Sequence, residues 1–422
     1  MQNAKGKMPV HFAFCIFMRT RYGLSPWIDT FPTKRRPDHP RLRGEHTADV
    51  VIVGGGLTGC ATAHACAAAG LKPLVIEGDR IGLGSAGRSA GLLLPDPGVF
   101  FRDIVSAHGL RAARRVFEGY RKAASDGAAT LRRLNIRCDL QACDDVLVAI
   151  RDGEKELRRE RDAREAADVE ARWIEGPSVR RTLSLDADGA MKLGAGVSFD
   201  PYRACLGLAS AARSRRATFF ERSPVKKIRV GRTQVEVIVD GGLVRAETVI
   251  VTTGVATAEV TPLRRHFKRR ETYLVLTEPL SAAMRKQLGA DTVTMRDMAS
   301  PRHRLRRTKD GRLLIAGADR DESPARQRDA TRVQRTGQLM YELLMMYPVI
   351  SGLRPEYGWE MVYGETADGL MYIGPHRNYP RHLFALGGSG DTLAGAFLAA
   401  RILARAARGE LDKADEVFGW TR

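Results

Sequence analysis

VVIVGGGLTG (residues 50–59), followed by VIEGD (75–79), decides how this 422-residue chain is read. Residues 50–53 form an unbroken β-branched run, the pattern of a strand buried in a parallel sheet. The run stops at Gly54-Gly55-Gly56. Residues 57–69, rich in Ala with Thr58, Gly59 and Thr62, then read as a helix closed by Gly70. After Pro73 a second apolar strand, 74–76, ends at Glu77. Strand, glycine turn, small-residue helix, strand and acid in this order make a dinucleotide-binding βαβ unit. Gly54 permits the tight turn, Gly56 lets backbone approach a pyrophosphate, and Gly59 lets the helix pack closely on the strand. Leu57 and Thr58 open the helix, whose free N–H groups and positive dipole end favour phosphate. Glu77, placed to accept from a ribose, would repel a 2′-phosphate and argues against NADP.

Composition narrows the class. Hydrophobic residues make up 44% and charged residues 28%, the balance of an ordinary globular protein with ample core. No apolar run reaches the ~20 residues that span a bilayer. The formal charge of +19 is scattered rather than gathered with aromatics on one motif. It therefore reads as a soluble, anion-attracting surface, and no nucleic-acid partner is expected. Six cysteines in a chain this long form no disulfide framework or zinc pattern, so no metal is expected and a reducing cytoplasm fits best. Cys60 and Cys66 read as small packing residues of the first helix. Residues 1–18 resemble a short signal peptide without a cleavage site, and Met8 and Met18 offer starts alternative to Met1. The Pro- and Arg-rich stretch 23–45 reads as an extended basic arm, with Trp27 and Phe31 pinning it to the body.

Three further stretches carry a resemblance: GLGSAGRSAG (82–91), WEMVYGETADGLMYIGP (359–375) and HLFALGGSGDTLAGAFLAARILA (382–404). With the βαβ unit they resemble the D-amino-acid-oxidase-like FAD-dependent oxidoreductases, a group including glycine and sarcosine oxidases and γ-glutamylputrescine oxidases. The resemblance runs from about residue 47 to the C-terminus, with its most specific motifs at the two ends. It implies an α/β fold: a Rossmann-like FAD-binding domain, discontinuous in sequence, with an inserted antiparallel-sheet substrate domain. On this reading residues 1–46 are the arm. Residues 47–100, 195–262 and 350–422 bind FAD, and 101–194 with 263–349 form the substrate domain and covering helices. The implied FAD contacts are Gly54, Gly56, Leu57, Thr58, Gly59, Glu77 and Gly78, then Ser85, Arg88, Ser89 and Ala90 of the loop. Val225, Thr253 and Gly254 of a second turn, and Gly388, Gly390, Asp391 and Thr392 of the late turn, complete them. Neither the loop nor the late turn has a His or Cys for covalent attachment, so FAD is expected to bind noncovalently. Independently, a glycine turn leading into a helix near Asp391 and Thr392 offers N–H groups to the negative charge of a reduced flavin.

Between the ends, residues 103–134 read as helical, 144–150 as a strand and 155–169 as a charged exposed helix. A helix capped by Asp200 with Pro201 follows. Strands are expected at 227–230, 235–239, 248–251, 272–280 and 311–319, and a helix at 329–346.

The implied chemistry is oxidation of the C–N bond of an amine or N-substituted amino acid, by hydride transfer to flavin N5, giving an imine that hydrolyses. The cofactor carries the hard step, so no catalytic triad is needed. Where amino-acid-oxidising relatives place a carboxylate-binding Arg, this chain has Tyr363, a departure that weighs against a simple α-amino acid. Tyr363 instead offers a hydroxyl and an aromatic wall. Arg306 matches the family's strand Arg, with Arg304 and Leu305 replacing aromatics, although a solvent-exposed hairpin is the better reading of any single Arg in 304–307. Trp359 is a candidate lid. His303, His376 and His382 are candidate bases, or else surface and packing histidines. Electrons would pass to O2 or to a carrier. A tRNA-modifying oxidase of the same fold, and a catalytically inert FAD-binding partner subunit, are the alternatives.

Overall fold

The computed structural model describes residues 19–150 and 153–422; the proposed starts at Met1, Met8 and Met18, and Cys15, lie outside the described residues. Two sheets organise the chain. The smaller runs, in spatial order, Tyr372–His376, Tyr379–Leu386, Gly242–Gly254, Gly44–Val53, Pro73–Ile76 and Thr218–Phe220. Its four central pairings, from Tyr379–Leu386 to Thr218–Phe220, are parallel, with Val249, Ile250 and Val251 opposite Val51, Ile52 and Val53. The β-branched run is fully buried, as a strand covered on both faces must be. A hairpin of Val225–Val230 and Val235–Val239 extends the first half of Gly242–Gly254.

The helix Leu57–Ala68 lies under this sheet between the helices Pro201–Arg213 and Ala394–Ala406. Ala61, Ala63, Ala209, Ala396, Ala399 and Ala400 form one buried cluster with them. Small side chains permit this close approach, which is why an alanine-rich sequence makes a core here. Asp200 caps the Pro201 helix by accepting from the Arg203 N–H at 3.0 Å.

The larger sheet has ten strands and is mostly antiparallel. Its centre runs Pro355–Glu365, Lys268–Thr277, Leu313–Asp321, Arg304–Arg307, Val293–Asp297, Gln141–Ala149 and Gly189–Ser198. One face packs against the helix Arg328–Met346 through Tyr273, Val275, Leu305, Ile315 and Leu339. The other carries Leu274, Ala316, Trp359 and Met361 toward the nucleotide sheet. Several expectations need correcting. Pro355–Glu365 and Gly189–Ser198 belong to this larger sheet, so the boundaries at 350 and 195 each cut into it. The helical stretch 103–134 is two helices, Phe101–His108 and Leu110–Arg133, broken where Gly109 takes φ +82°. Residues 304–307 are an interior strand, not an exposed hairpin. The arm is not merely extended. Arg21–Tyr22 adds a strand to the larger sheet, and Pro26–Asp29 forms a helical turn capped by Ser25. Phe31 meets Tyr202 edge to face at 5.4 Å, and Trp27 packs into the core, so both pin the arm.

Candidate active site

The glycine turn has the geometry its residues dictate. Gly54 takes φ +109°, and a Cβ there would press on the Thr252 carbonyl. A Cβ on Gly59 would overlap the Gly54 carbonyl oxygen, whereas one on Gly56 meets nothing within 4 Å. No side chain caps the helix that follows. The first-turn N–H groups therefore have no partner within the helix, and the approach at Gly56 is open, a cradle that fits a pyrophosphate. Glu77 is fixed by accepting from the Gly55 N–H at 2.6 Å and the Asp79 N–H at 2.8 Å. Burial pushes its carboxyl up, against those two bonds. Gly78 lies against Pro224, bringing it beside Val225. Thr252, overlooked in the sequence, ties the turn down: its hydroxyl lies 3.0 Å from Val53 O and 3.1 Å from Gly54 O. Thr253 turns its hydroxyl to Val255 O at 2.7 Å.

The chain's two ends meet here. Gly387 N–H donates to Gly254 O at 2.9 Å, so the late turn stands beside the ends of the parallel strands. Thr392 Oγ1 accepts from Leu94 N–H at 2.9 Å and Leu393 N–H donates to Leu92 O at 2.8 Å, docking the turn on the segment after the loop. The helix begins at Ala394, not at Asp391 and Thr392, so the turn itself, with Gly388 and Gly390 both at positive φ, presents backbone to the cavity.

Residues 85–89 are held from outside. Ser25 Oγ donates to Gly87 O at 2.5 Å, Trp27 Nε1 to Ser89 O at 3.0 Å and Trp359 Nε1 to Arg88 O at 2.7 Å. Ser85 spends its hydroxyl on Val362 O at 2.7 Å, and Ser89 on Ala86 O at 2.8 Å. Arg88 points away from the cavity, toward Gly23 O at 3.3 Å and Glu360 at 3.8 Å. Of the four loop residues implied by the resemblance, only Ala90 lines the cavity.

That cavity, of about 800 Å³, lies between the late turn and the larger sheet. Its floor is apolar: Ala90, Leu274, Ala316 and Met361. Its wall is polar, built from Thr272, Arg304, Asp319, Tyr363 and Asp391. Strand alternation explains the assignment, since 361 and 363 share a face, as do 272 and 274. Tyr363 lays its ring within 3.3 Å of a Cβ placed on Gly390 and donates to Asp319 Oδ2 at 2.9 Å. Burial, with Asp319 beside it, drives the Tyr363 hydroxyl well above the usual phenol range. Arg304 pairs with Asp391.

Two expected substrate residues lie elsewhere. Trp359 is fully buried under the loop, packed with Leu276 and Leu314, and is no lid. Arg306, on the same face as Arg304 but two residues further along, is 5% exposed. It stacks its guanidinium 5.2 Å from the Trp27 ring, outside the cavity lining. Burial without an acidic partner lowers it to about 10. His303 lies behind the sheet between Asp297 and Glu342, and His376 and His382 join an aromatic cluster around Phe384. His266 lines the cavity instead, as do Arg270 and Arg302.

Comparison with known proteins identifies the fold and the family. Over 376 residues the chain is 27% identical to γ-glutamylputrescine oxidoreductase of Escherichia coli, covering 87% of this chain and 85% of that protein. It is 25% identical to glycine oxidase of Bacillus licheniformis over 357 residues, 80% of this chain and 87% of the other. Among solved structures, glycine oxidase from Geobacillus kaustophilus superimposes with a TM-score of 0.72 at 19% identity, covering 89% of this chain and 99% of its own. L-proline dehydrogenase from P. horikoshii gives 0.70 at 17% identity, with 90% and 97% covered. Residues 49–406 match the family model DAO, FAD-dependent oxidoreductase. The chain therefore belongs to the DAO family and is an FAD-dependent oxidoreductase.

Proposed function

We propose that this enzyme oxidises the C–N bond of a small amine or N-substituted amino acid inside the cavity described above. One observation carries the reading: an apolar-floored cavity of about 800 Å³ opens where the late glycine turn meets the ends of the parallel strands. Ligands of open α/β sheets bind at that edge. The names of the relatives, an oxidoreductase of an acylated diamine and an oxidase of an amino acid, support the same class.

Residues 54–59 would hold the FAD pyrophosphate noncovalently, Glu77 a ribose, and Gly78 with Val225 the adenine side. Ala90, the turn at Thr253 and Gly254, and the backbone of Gly388, Gly390, Asp391 and Thr392 would face the isoalloxazine. Bound FAD supplies the two-electron acceptor for amine oxidation. The protein supplies position and dryness. Ala90, Leu274, Ala316 and Met361 exclude water from the reacting carbon, strengthening each polar contact on the wall. Tyr363, whose proton is committed to Asp319, acts as a neutral aromatic wall and not as a base. The amine therefore enters deprotonated at the reacting nitrogen, and its lone pair becomes the second C–N bond. Water outside the apolar floor then hydrolyses the imine to a carbonyl compound and an amine.

The test is spectroscopic. Purified protein should carry a flavin absorbance near ~450 nm that anaerobic addition of an amine or amino acid bleaches. Peroxide formed on readmitting air would identify O2 as acceptor; its absence would point to a carrier. A flavin that no member of a broad amine and amino-acid panel bleaches refutes the reading.

A further inference from the structure

The polar wall of the cavity has an uneven charge balance. Arg304 is 6% exposed, and its guanidinium is engaged by Asp391, so the cation nearest the late turn is already neutralised from within the protein. Asp319 has no such partner, and burial pushes its carboxyl up, as for an acid that awaits a counter-ion. It accepts from the Tyr363 hydroxyl at 2.9 Å, with the Thr272 hydroxyl as a second, weaker neighbour, while its Oδ1 is buried without a well-formed bond. Among the described residues no Lys, Arg or His stands within ion-pair distance of it. Arg270, the cation that influences it, has Asp321 at 2.7 Å and Glu365 at 3.6 Å. Asp391 and Asp319 line the same cavity, and Asp391 bears on Asp319 as a like charge. Of the wall's two acids, Asp391 has Arg304 and, at 3.9 Å, Arg296, whereas Asp319 has no cation within ion-pair distance in an apolar-floored site, where charge is poorly screened. Burying a carboxylate without a counter-ion is costly and persists where a ligand supplies the cation.

We propose that Asp319 is a specificity-determining residue that binds a second, non-reacting ammonium group of the substrate, while Asp391 withholds Arg304 from substrate carboxylates. The site then favours diamine-type amines over amino acids. A local irregularity aims Asp319. The pairing of Lys268–Thr277 with Leu313–Asp321 shifts register between Glu271 and Tyr273, opposite Ala318, which takes φ +55°. Such a bulge re-aims the side chains beyond it. Arg265, Lys268 and Arg302 also line the cavity without an ion pair to an acid among the described residues, and Arg302 donates to Gly98 O at 2.8 Å and stacks 4.8 Å from the Phe100 ring. A carboxylate that chose Arg302 over this arrangement would contradict the proposal.

The inference rests on the amine-oxidising reading, and one probe series separates the two. 1,4-Diaminobutane, 1-aminobutane and 4-aminobutanoate share a chain and differ only at the far end: ammonium, methyl or carboxylate. Holoenzyme is titrated anaerobically with each, reading half-saturation of flavin bleaching, and its thermal shift is measured with each as a readout independent of turnover. The expected wild-type order is diamine, then monoamine, then amino acid, in steps of about tenfold. Asp319→Asn should lower the diamine-to-monoamine ratio about tenfold, and Asp391→Asn should raise the relative response to 4-aminobutanoate by releasing Arg304. The wild-type order needs no variant, so a variant that loses FAD leaves the test standing. Equal responses to all three probes, including none, or a preference for 4-aminobutanoate, overturn the Asp319 assignment while bleaching by other amines preserves the oxidase reading. A flavin that no amine bleaches overturns both.

Discussion

At the turn of residues 54–59 position is set by backbone. Glycine conformations, a strand register and one threonine hydroxyl fix where the N–H groups point. At the opposite side of the same cavity position is set by charge, through ion pairs among strands that lie far apart in sequence. Asp391 is linked through Arg296 to Asp96 and Asp145, and Asp96 through Arg164 to Glu160 on the helix Glu154–Glu165. Every member except Asp391 is almost fully buried. Backbone positioning suits a cofactor shared by a whole family, because its diphosphate asks for the same N–H groups everywhere. Side-chain positioning can be changed one residue at a time and suits a substrate that differs between members. The contrast predicts different kinds of failure on the two sides.

The largest effect is expected at Arg296. Its guanidinium donates to Asp96 Oδ1 at 2.9 Å and to Asp145 Oδ2 at 2.8 Å. Burial alone would raise Asp96, but Arg296 and Arg164 outweigh it and hold the carboxyl well below the usual range. Asp145, buried and sharing its arginine with Asp96, is raised instead. Arg296→Met leaves two buried carboxylates together and should cost ~3–5 kcal/mol in urea unfolding at neutral pH. The cost should shrink on mild acidification, as the stranded carboxyls take up protons. A loss below ~1 kcal/mol would show that charge does not hold this side of the cavity.

His303 should give the next largest effect, with a pH signature. Its Nδ1 lies 2.5 Å from Asp297 Oδ2 and its Nε2 2.9 Å from Glu342 Oε2, whose other oxygen accepts from Gln338 at 2.9 Å. Burial opposes its charge, yet the two carboxylates prevail and raise the imidazole to about 9. A pKa raised on folding means that the folded state binds the proton more tightly. This stabilisation is therefore complete below the unfolded value of ~6.5 and is lost as pH rises through about 9. Its size is at most ~3 kcal/mol. Stability measured between pH 6 and 10 should fall across that window in the wild type and fall less in His303→Gln, which retains hydrogen bonding without the titrating charge. Parallel curves would remove His303 from the electrostatic side of the comparison.

What could be read from the sequence divides along the same line. The βαβ unit was legible because its requirements are local: a β-branched run, glycines at three fixed places, small residues along one helix. The meeting of the two ends was legible through the family resemblance at the late glycine turn. The wall was not. Nothing in GRLLIAGADRD shows that Ala318 adopts a left-handed conformation opposite a register shift, so the aim of Asp319 was invisible. Nor does HRLRR reveal that its strand lies inside a ten-stranded sheet, which turned an expected exposed hairpin into two buried arginines. Arg306, which matches the family's strand Arg, and Trp359, the candidate lid, each lie one alternating pair too far along their strands to reach the cavity. Alternation told which face they occupy, not how far along it the cavity ends.

The finest test of the backbone side compares two glycines within one turn. Gly59→Ala must displace the Gly54 carbonyl, so both the apoprotein and its FAD affinity should suffer, the former by ~1–3 kcal/mol as an overpacked core does. Gly56→Ala adds a methyl where nothing lies within 4 Å, at a backbone φ of −74° that alanine adopts freely. The apoprotein should unfold at the wild-type temperature. The methyl would nevertheless occupy the approach left open for the pyrophosphate, so FAD should bind about tenfold more weakly, a difference of ~1.4 kcal/mol. Thermal unfolding of the apoproteins and fluorescence titration with FAD separate the two terms. Were Gly56→Ala to bind FAD as tightly as the wild type, that opening would not be where the diphosphate lies. The turn would then be a strand-to-helix junction alone, with the cofactor held chiefly by the late turn and the loop.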